Sequence, residues 1–169
     1  MHMIERAHRA GTLLLAVSLL LAMAATAGAQ EERTFTAEEI AELTIWDGEP
    51  IVFTKADGAD PNQEDNQDRI TDSVWITRGN RGGQIYNAVE RDSADKTRSP
   101  LGTLWAEGTT DDLPDLVFKP FRAADGKPQV SPDRSFVLFI EEEGIFIDVT
   151  FLSWSQRRQG GFSYERSTP

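Results

Sequence analysis

The chain reads SFVLFI at residues 135–140, IFIDVTFLSW at 145–154 and GFSYER at 161–166. These runs of β-branched and aromatic residues, broken by Gly-containing turns, predict a three-stranded antiparallel meander. In the middle run apolar residues alternate with Asp148 and Thr150, a period of two that a helix does not have. The C-terminal third is therefore expected to form sheet.

Shorter runs of the same kind precede the meander, at residues 50–55, 73–78, 84–89 and 103–106. Residues 115–121 are compatible with a strand or with irregular structure, because Pro120 cannot donate to a ladder. Many short strands with little helical periodicity predict an all-β fold, an antiparallel β-sandwich resembling a jelly roll. Thr36 and Glu39 have the spacing of a capping box, which predicts one or two helical turns there.

The first 29 residues have the pattern of a cleavable export signal. Arg6 and Arg9 precede a short apolar run over 13–25, and Ala27-Gly28-Ala29 offers a small-x-small cleavage site. An uncleaved signal acting as an anchor is the alternative. We expect residues 1–29 to be a signal peptide, 30–48 a partly flexible lead-in and 49–169 the β-sandwich domain. The protein is then expected in the periplasm, at the cell surface or in the medium.

Cleavage would remove both histidines, and the chain has no cysteine. A chain without imidazole or thiol cannot perform Ser-His-Asp or Cys-His chemistry, or hold a His/Cys zinc ion. Loss of Glu5, Arg6 and Arg9 from the 28 acidic and 17 basic residues leaves 27 and 15. That acidic balance argues against nucleic acid and anionic membranes as partners, and no second apolar run could span a bilayer.

A carboxylate pair, as in glycoside hydrolases, is the remaining route to catalysis. Among so many acidic residues no pair stands out, and an outward-facing Asp148 needs no catalytic explanation. We therefore expect a protein that is not an enzyme. A small glycoside hydrolase is the least favoured alternative.

The loop over residues 56–68 is dense in Asp, Asn, Gly and Pro, a composition that suits either calcium or a solvated turn. Its oxygen ligands recur at every second residue, as at the start of an EF-hand. The match then fails, because Asp65 stands where Gly is required and Thr71 where a bidentate Glu is required. The candidate ligands of an irregular calcium site are Asp57, Asp60 and Asp68.

Four tryptophans could supply a stacking platform for sugars or could fill the core. Trp75 and Trp105 lie within strand patterns and are expected in the core. By simple alternation Trp154 falls on the face of Asp148 and Thr150, which leaves exposure and burial equally open. The candidate ligand-binding residues are Trp154, Tyr164 and Asp148.

Several segments together resemble a domain that recurs in secreted proteins of environmental and marine bacteria. They are FTKADGADP (53–61), NQDRIT (66–71), VWITRGN (74–80), the SP-x-GT-x-WA pattern (99–106) and GGFSYERST (160–168). The family is uncharacterised, so the resemblance implies a secreted β domain and no reaction.

Two functions remain open at this point. One is a secreted module that binds carbohydrate or another extracellular matrix ligand, with calcium as the one cofactor considered. The other is a structural or assembly module of the cell exterior, with a cell-surface protein as partner.

Overall fold

The computed structural model describes residues 32–169, and the predicted signal peptide lies outside them. The strands are β1 (Thr44–Trp46), β2 (Gly48–Lys55), β3 (Asp68–Arg69), β4 (Trp75–Arg78), β5 (Ile85–Asn87), β6 (Thr103–Glu107), β7 (Ser135–Ile140), β8 (Ile145–Trp154) and β9 (Phe162–Thr168). The α-helices are α1 (Ala37–Ala41) and α2 (Phe121–Asp125), and 3-10 turns cover Glu64–Asn66, Thr110–Asp115 and Pro128–Val130. No helix within the described range is both long and apolar enough to cross a membrane.

The strands form two sheets, which confirms the predicted all-β sandwich. The larger sheet has the order β2-β9-β8-β7-β6, with β1 added in parallel to the start of β8. The smaller sheet has the order β3-β4-β5 and is antiparallel throughout. Strands β7, β8 and β9 pair as antiparallel neighbours, so the predicted C-terminal meander is also confirmed.

The larger sheet is buried on both faces where β6, β7 and β8 meet. Successive residues of β7 alternate between two apolar clusters, as the period of two requires. Leu138 lies in the cluster shared with Ile76 of the smaller sheet. Val137 lies in the other cluster, with Phe35 from the N-terminal segment. The N-terminal segment and the smaller sheet therefore cover opposite faces of the same sheet.

The segment predicted as a flexible lead-in, residues 30–48, is integrated into the fold over its described part. Phe35 is buried, and β1 pairs with β8 in register from Thr44 to Trp46. Thr36 and Glu39 form the predicted capping box, each side chain bonded to the other's backbone N–H. The domain therefore begins before residue 49, in contrast to the predicted boundary.

Candidate functional site

A β-bulge in β8 decides where Trp154 lies. Phe151 pairs with Tyr164 and Ser153 with Ser163, so two steps along β8 match one step along β9. An extra residue moves every later side chain to the opposite face of a sheet. Trp154 therefore lies on the face of Phe151, and the expected sharing of a face with Asp148 and Thr150 is wrong.

Trp154 and Tyr164 both lie in the core, so neither is the surface platform that sugar stacking requires. Trp154 is 7 % exposed and Tyr164 is 1 % exposed. The ring of Trp154 packs on Phe121, Phe151 and Phe162. Tyr164 instead donates its hydroxyl hydrogen bond to Asp68 Oδ2 at 2.6 Å.

Arg78 at the end of β4 covers the remaining side of Trp154. Its guanidinium carbon lies 4.1 Å from the Trp154 ring centroid. The guanidinium donates to the backbone carbonyls of Gly83, Ser155 and Gly161 at 2.8, 3.0 and 2.7 Å. Burial lowers the pKa of Arg78 to about 10, against the opposing charge of Asp57. No carboxylate in residues 32–169 forms an ion pair with Arg78.

The turn between β8 and β9 brings two more cations beside Arg78. Arg157 and Arg158 have φ values of 55° and 67°, and the N–H of Gln159 bonds the carbonyl of Gln156 at 3.3 Å. Two successive positive φ values are the geometry of a type I′ hairpin turn, for which Asn-Gly is the favoured pair. A non-glycine residue with a positive φ has a strained backbone, and such strain is concentrated at functional sites.

The glycine-rich turn after β4 lies directly against that hairpin. A Cβ at Gly160 would overlap the carbonyl oxygen of Gly79, and one at Gly82 would lie 3.4 Å from the Cα of Arg158. Glycine at both positions lets the two backbones approach closely. The chain segments that carry Arg78, Arg81, Arg157 and Arg158 are thereby held together.

These segments enclose a basic pocket of about 390 Å³. Its cationic lining residues are Arg78, Arg81, Lys96, Arg122, Arg157 and Arg158. The other lining residues are glycines, Pro128, Trp154, Ser155 and the amides Gln84, Gln129 and Gln156. None of the six cations forms an ion pair with a described residue, and no carboxylate lines the basic pocket.

A concentration of unpaired positive charge is unexpected in a protein whose formal net charge is −11. Like charges close together repel one another, and their mutual repulsion is relieved when an anion binds between them. Arginine forks bind carboxylates and other oxyanions through two parallel hydrogen bonds. The arrangement is therefore chemically suited to an anionic ligand.

Gln84 supplies a polar group of a different kind to the basic pocket. It is 3 % exposed, and its Nε2 donates to the backbone carbonyls of Arg98 and Asp95 at 2.7 and 3.3 Å. Its Oε1 is buried and has no hydrogen-bond partner among the described residues. Buried polar atoms are rarely left without a partner in folded proteins, so this acceptor is unusual.

Asp148, the third predicted ligand-binding residue, lies elsewhere, in a second hollow with Asp47, Asp111 and Glu165. Both oxygens of Asp148 accept hydrogen bonds from Thr110, one from its backbone N–H at 2.8 Å and one from its hydroxyl at 2.7 Å. It thus holds the start of a 3-10 turn and is not near Trp154 in the basic pocket.

The three predicted calcium ligands do not converge. Asp57 accepts from the N–H of Gly161, Asp60 caps the backbone of Asn62, and Asp68 is buried against Arg166. No group of three His, Cys, Asp or Glu residues within 32–169 is arranged to hold a metal ion. The predicted site shared by these three carboxylates is therefore not formed in this structure, because each carboxylate is bonded to a different partner. Calcium binding by the acidic loop in some other way stays a prediction.

Comparison with protein-family models, with curated proteins and with solved structures finds no match for this chain.

Sequence reasoning missed the basic pocket because its cations come from four separate segments and total charge conceals their grouping. Two local signals were available. Arg157-Arg158 occupies a hairpin turn where Asn-Gly is favoured, and Arg78 precedes a glycine-rich turn.

Proposed function

We propose that this protein is a non-catalytic module of the cell exterior that binds an anionic polysaccharide, with the basic pocket as its site. The observation that carries the proposal is a set of six cations around one pocket that no carboxylate lines, none of them in an ion pair with a described residue, in a protein that is otherwise strongly acidic. The export pattern of residues 1–29 supports an extracellular setting, where acidic glycans are abundant ligands.

Charge distribution favours a glycan over a nucleic acid. A nucleic acid presents a continuous line of phosphates and is bound by a basic track, often with exposed aromatic rings for stacking. Here the cations surround one concavity, and the face of Trp154 is covered by Arg78. The remainder of the surface carries a large excess of carboxylates, which would repel a long polyanion lying across it.

The test is affinity electrophoresis and calorimetry with polygalacturonate, chondroitin sulfate, neutral dextran and a single-stranded oligothymidylate. We expect binding of one or both acidic glycans, weakened by added salt, and no binding of dextran. Preference for the oligothymidylate, or equal retardation by dextran, would refute the proposal.

A charge-matched pair of variants locates the site. Arg81→Gln with Lys96→Gln removes two positive charges from the basic pocket, and Arg69→Gln with Lys119→Gln removes two outside it. A hydrogen bond to a charged group contributes about 1.5–3 kcal/mol, so the first variant should bind at least tenfold more weakly. The second should bind like the unaltered protein; an equal loss in both would mean that the pocket is not the site.

A further inference from the structure

Gln84 lines the basic pocket and carries a buried hydrogen-bond acceptor that no described residue uses. Among the residues that line the basic pocket within 32–169, Gln84 alone has a buried side-chain polar atom without a hydrogen-bond partner, its Oε1. The orientation of the amide follows from its surroundings, because the opposite assignment would place Oε1 against the carbonyl oxygens of Asp95 and Arg98. The acceptor is therefore fixed in place by the loop over residues 91–100.

An acceptor in a basic pocket distinguishes between classes of anion. Inorganic sulfate, or a carboxylate on a hydrocarbon ring, can pair with the arginines but has no hydroxyl to donate. A sugar acid carries both an anionic group and hydroxyl donors on neighbouring carbons. A site built to accept from a hydroxyl discriminates strongly against analogues that lack it, because its buried acceptor is then left unpaired.

We infer that the basic pocket recognises a sugar unit that bears an anionic group and a free hydroxyl, and that the pocket wall adjusts on binding so that the buried Gln84 Oε1 accepts from that hydroxyl. The inference rests on the proposed function and makes it more specific. The pocket volume of about 390 Å³ lies near the lower end of the range for small-molecule sites, which suits one or two sugar rings. Gln84 is thus assigned as a specificity-determining residue.

The experiment compares four small probes by calorimetry against the full protein: galacturonate, galactose 6-sulfate, cyclohexanecarboxylate and inorganic sulfate. We expect at least one sugar probe to bind at least tenfold more tightly than the anion of the same kind without hydroxyls. The two sugar probes separate a carboxylated unit from a sulfated one.

Gln84→Met keeps the length of the side chain and removes the acceptor together with the Nε2 donor to Asp95 and Arg98, so a probe without hydroxyls serves as the control for any disturbance of that loop. In this variant the affinity of each sugar probe that binds the unaltered protein should fall to that of its counterpart without hydroxyls, cyclohexanecarboxylate or inorganic sulfate, whose own affinity should not change. Thermal unfolding checks that the variant is folded; if it is not, the probe comparison on the unaltered protein decides.

The outcomes separate this inference from the proposed function. If sugar acids and their hydroxyl-free analogues bind equally, or if polygalacturonate binds and no small sugar does, the assignment of Gln84 is overturned and glycan binding stands. If neither the small anions nor the acidic polysaccharides bind, both fail.

Discussion

Arg78 and Trp154 are stacked, with the guanidinium carbon 4.1 Å from the centre of the indole ring. The two residues come from different sheets, and their contact forms the floor between the glycine-rich turn and the last hairpin. Because Arg78 is only 4 % exposed, its charge is weakly screened and would act strongly on the anion that we propose binds in the basic pocket. Arg78 therefore contributes both to the packing of the two sheets and to the positive charge of the basic pocket.

Arg78→Lys keeps the positive charge and removes the planar fork. The fork donates to three backbone carbonyls, which a single ammonium group cannot satisfy with the same geometry. We expect a loss of about 2–4 kcal/mol in the free energy of unfolding, measured by urea denaturation, since buried groups left unpaired cost about 1–3 kcal/mol each. Unchanged stability would mean that charge alone, and not the fork, is what the site requires.

Arg157→Asn combined with Arg158→Gly should stabilise the protein and abolish glycan binding. Asn-Gly adopts two positive φ values readily, whereas each arginine there is strained. We expect a gain of about 1 kcal/mol in the free energy of unfolding. Denaturation and affinity electrophoresis on one sample measure both effects. A loss of stability would show that the arginine side chains support the fold more than the turn strains it.

The buried ion pair of Asp68 and Arg166 joins the smaller sheet to β9. Arg166 bonds both carboxylate oxygens, Nε at 2.7 Å and Nη2 at 2.9 Å, and Tyr164 adds its hydroxyl. Asp68→Ala leaves a buried guanidinium without a partner and should cost about 3–5 kcal/mol. Tyr164→Phe removes one hydrogen bond and should cost about 1–2 kcal/mol. If urea denaturation gave equal losses of unfolding free energy for the two variants, the ion pair would not be the larger contributor to stability.

Tyr164 also predicts an alkaline dependence of stability. Burial, together with the charge of Asp68, raises the pKa of Tyr164 well above its usual value of 10.0. Above pH 10 the unfolded chain releases this proton and the folded protein retains it. The folded state then binds more protons, so the free energy of unfolding falls as the pH rises. The free energy of unfolding, measured by urea denaturation between pH 9 and 11, should fall more steeply for the unaltered protein than for Tyr164→Phe. Parallel curves would show that Tyr164 is not the source of the alkaline dependence.

Gly160→Ala tests the close approach that forms the basic pocket, with Gly58→Ala as its matched control. Both glycines have positive φ, 77° and 70°, so both variants carry the left-handed penalty of about 1–2 kcal/mol. A Cβ at Gly58 meets nothing within 4 Å, whereas one at Gly160 overlaps the Gly79 carbonyl. Gly160→Ala should therefore be clearly the less stable variant in thermal unfolding, and it should lose anion binding. Equal melting temperatures would contradict the packing of the two turns.

The regular parts of the fold were predictable because alternation is a local property. The run 145–151 shows a period of two that places Ile145, Ile147, Val149 and Phe151 on one face, and the capping box needs only Thr36 and Glu39. Trp154 was placed on the wrong face because a bulge depends on how β8 pairs with β9. Pairing between strands leaves no mark in the sequence of one strand.

The candidate site shows the same division between local and distant information. Composition and pattern by themselves determined that this is a β-rich chain, acidic and without cysteine, since residue counts and short-range alternation suffice for that. Tertiary structure alone decided that Asp57, Asp60 and Asp68 find separate partners, and that six cations from distant segments meet around Gln84. The reason is physical: electrostatic and hydrogen-bond interactions depend on distance in space, which only the folded chain sets.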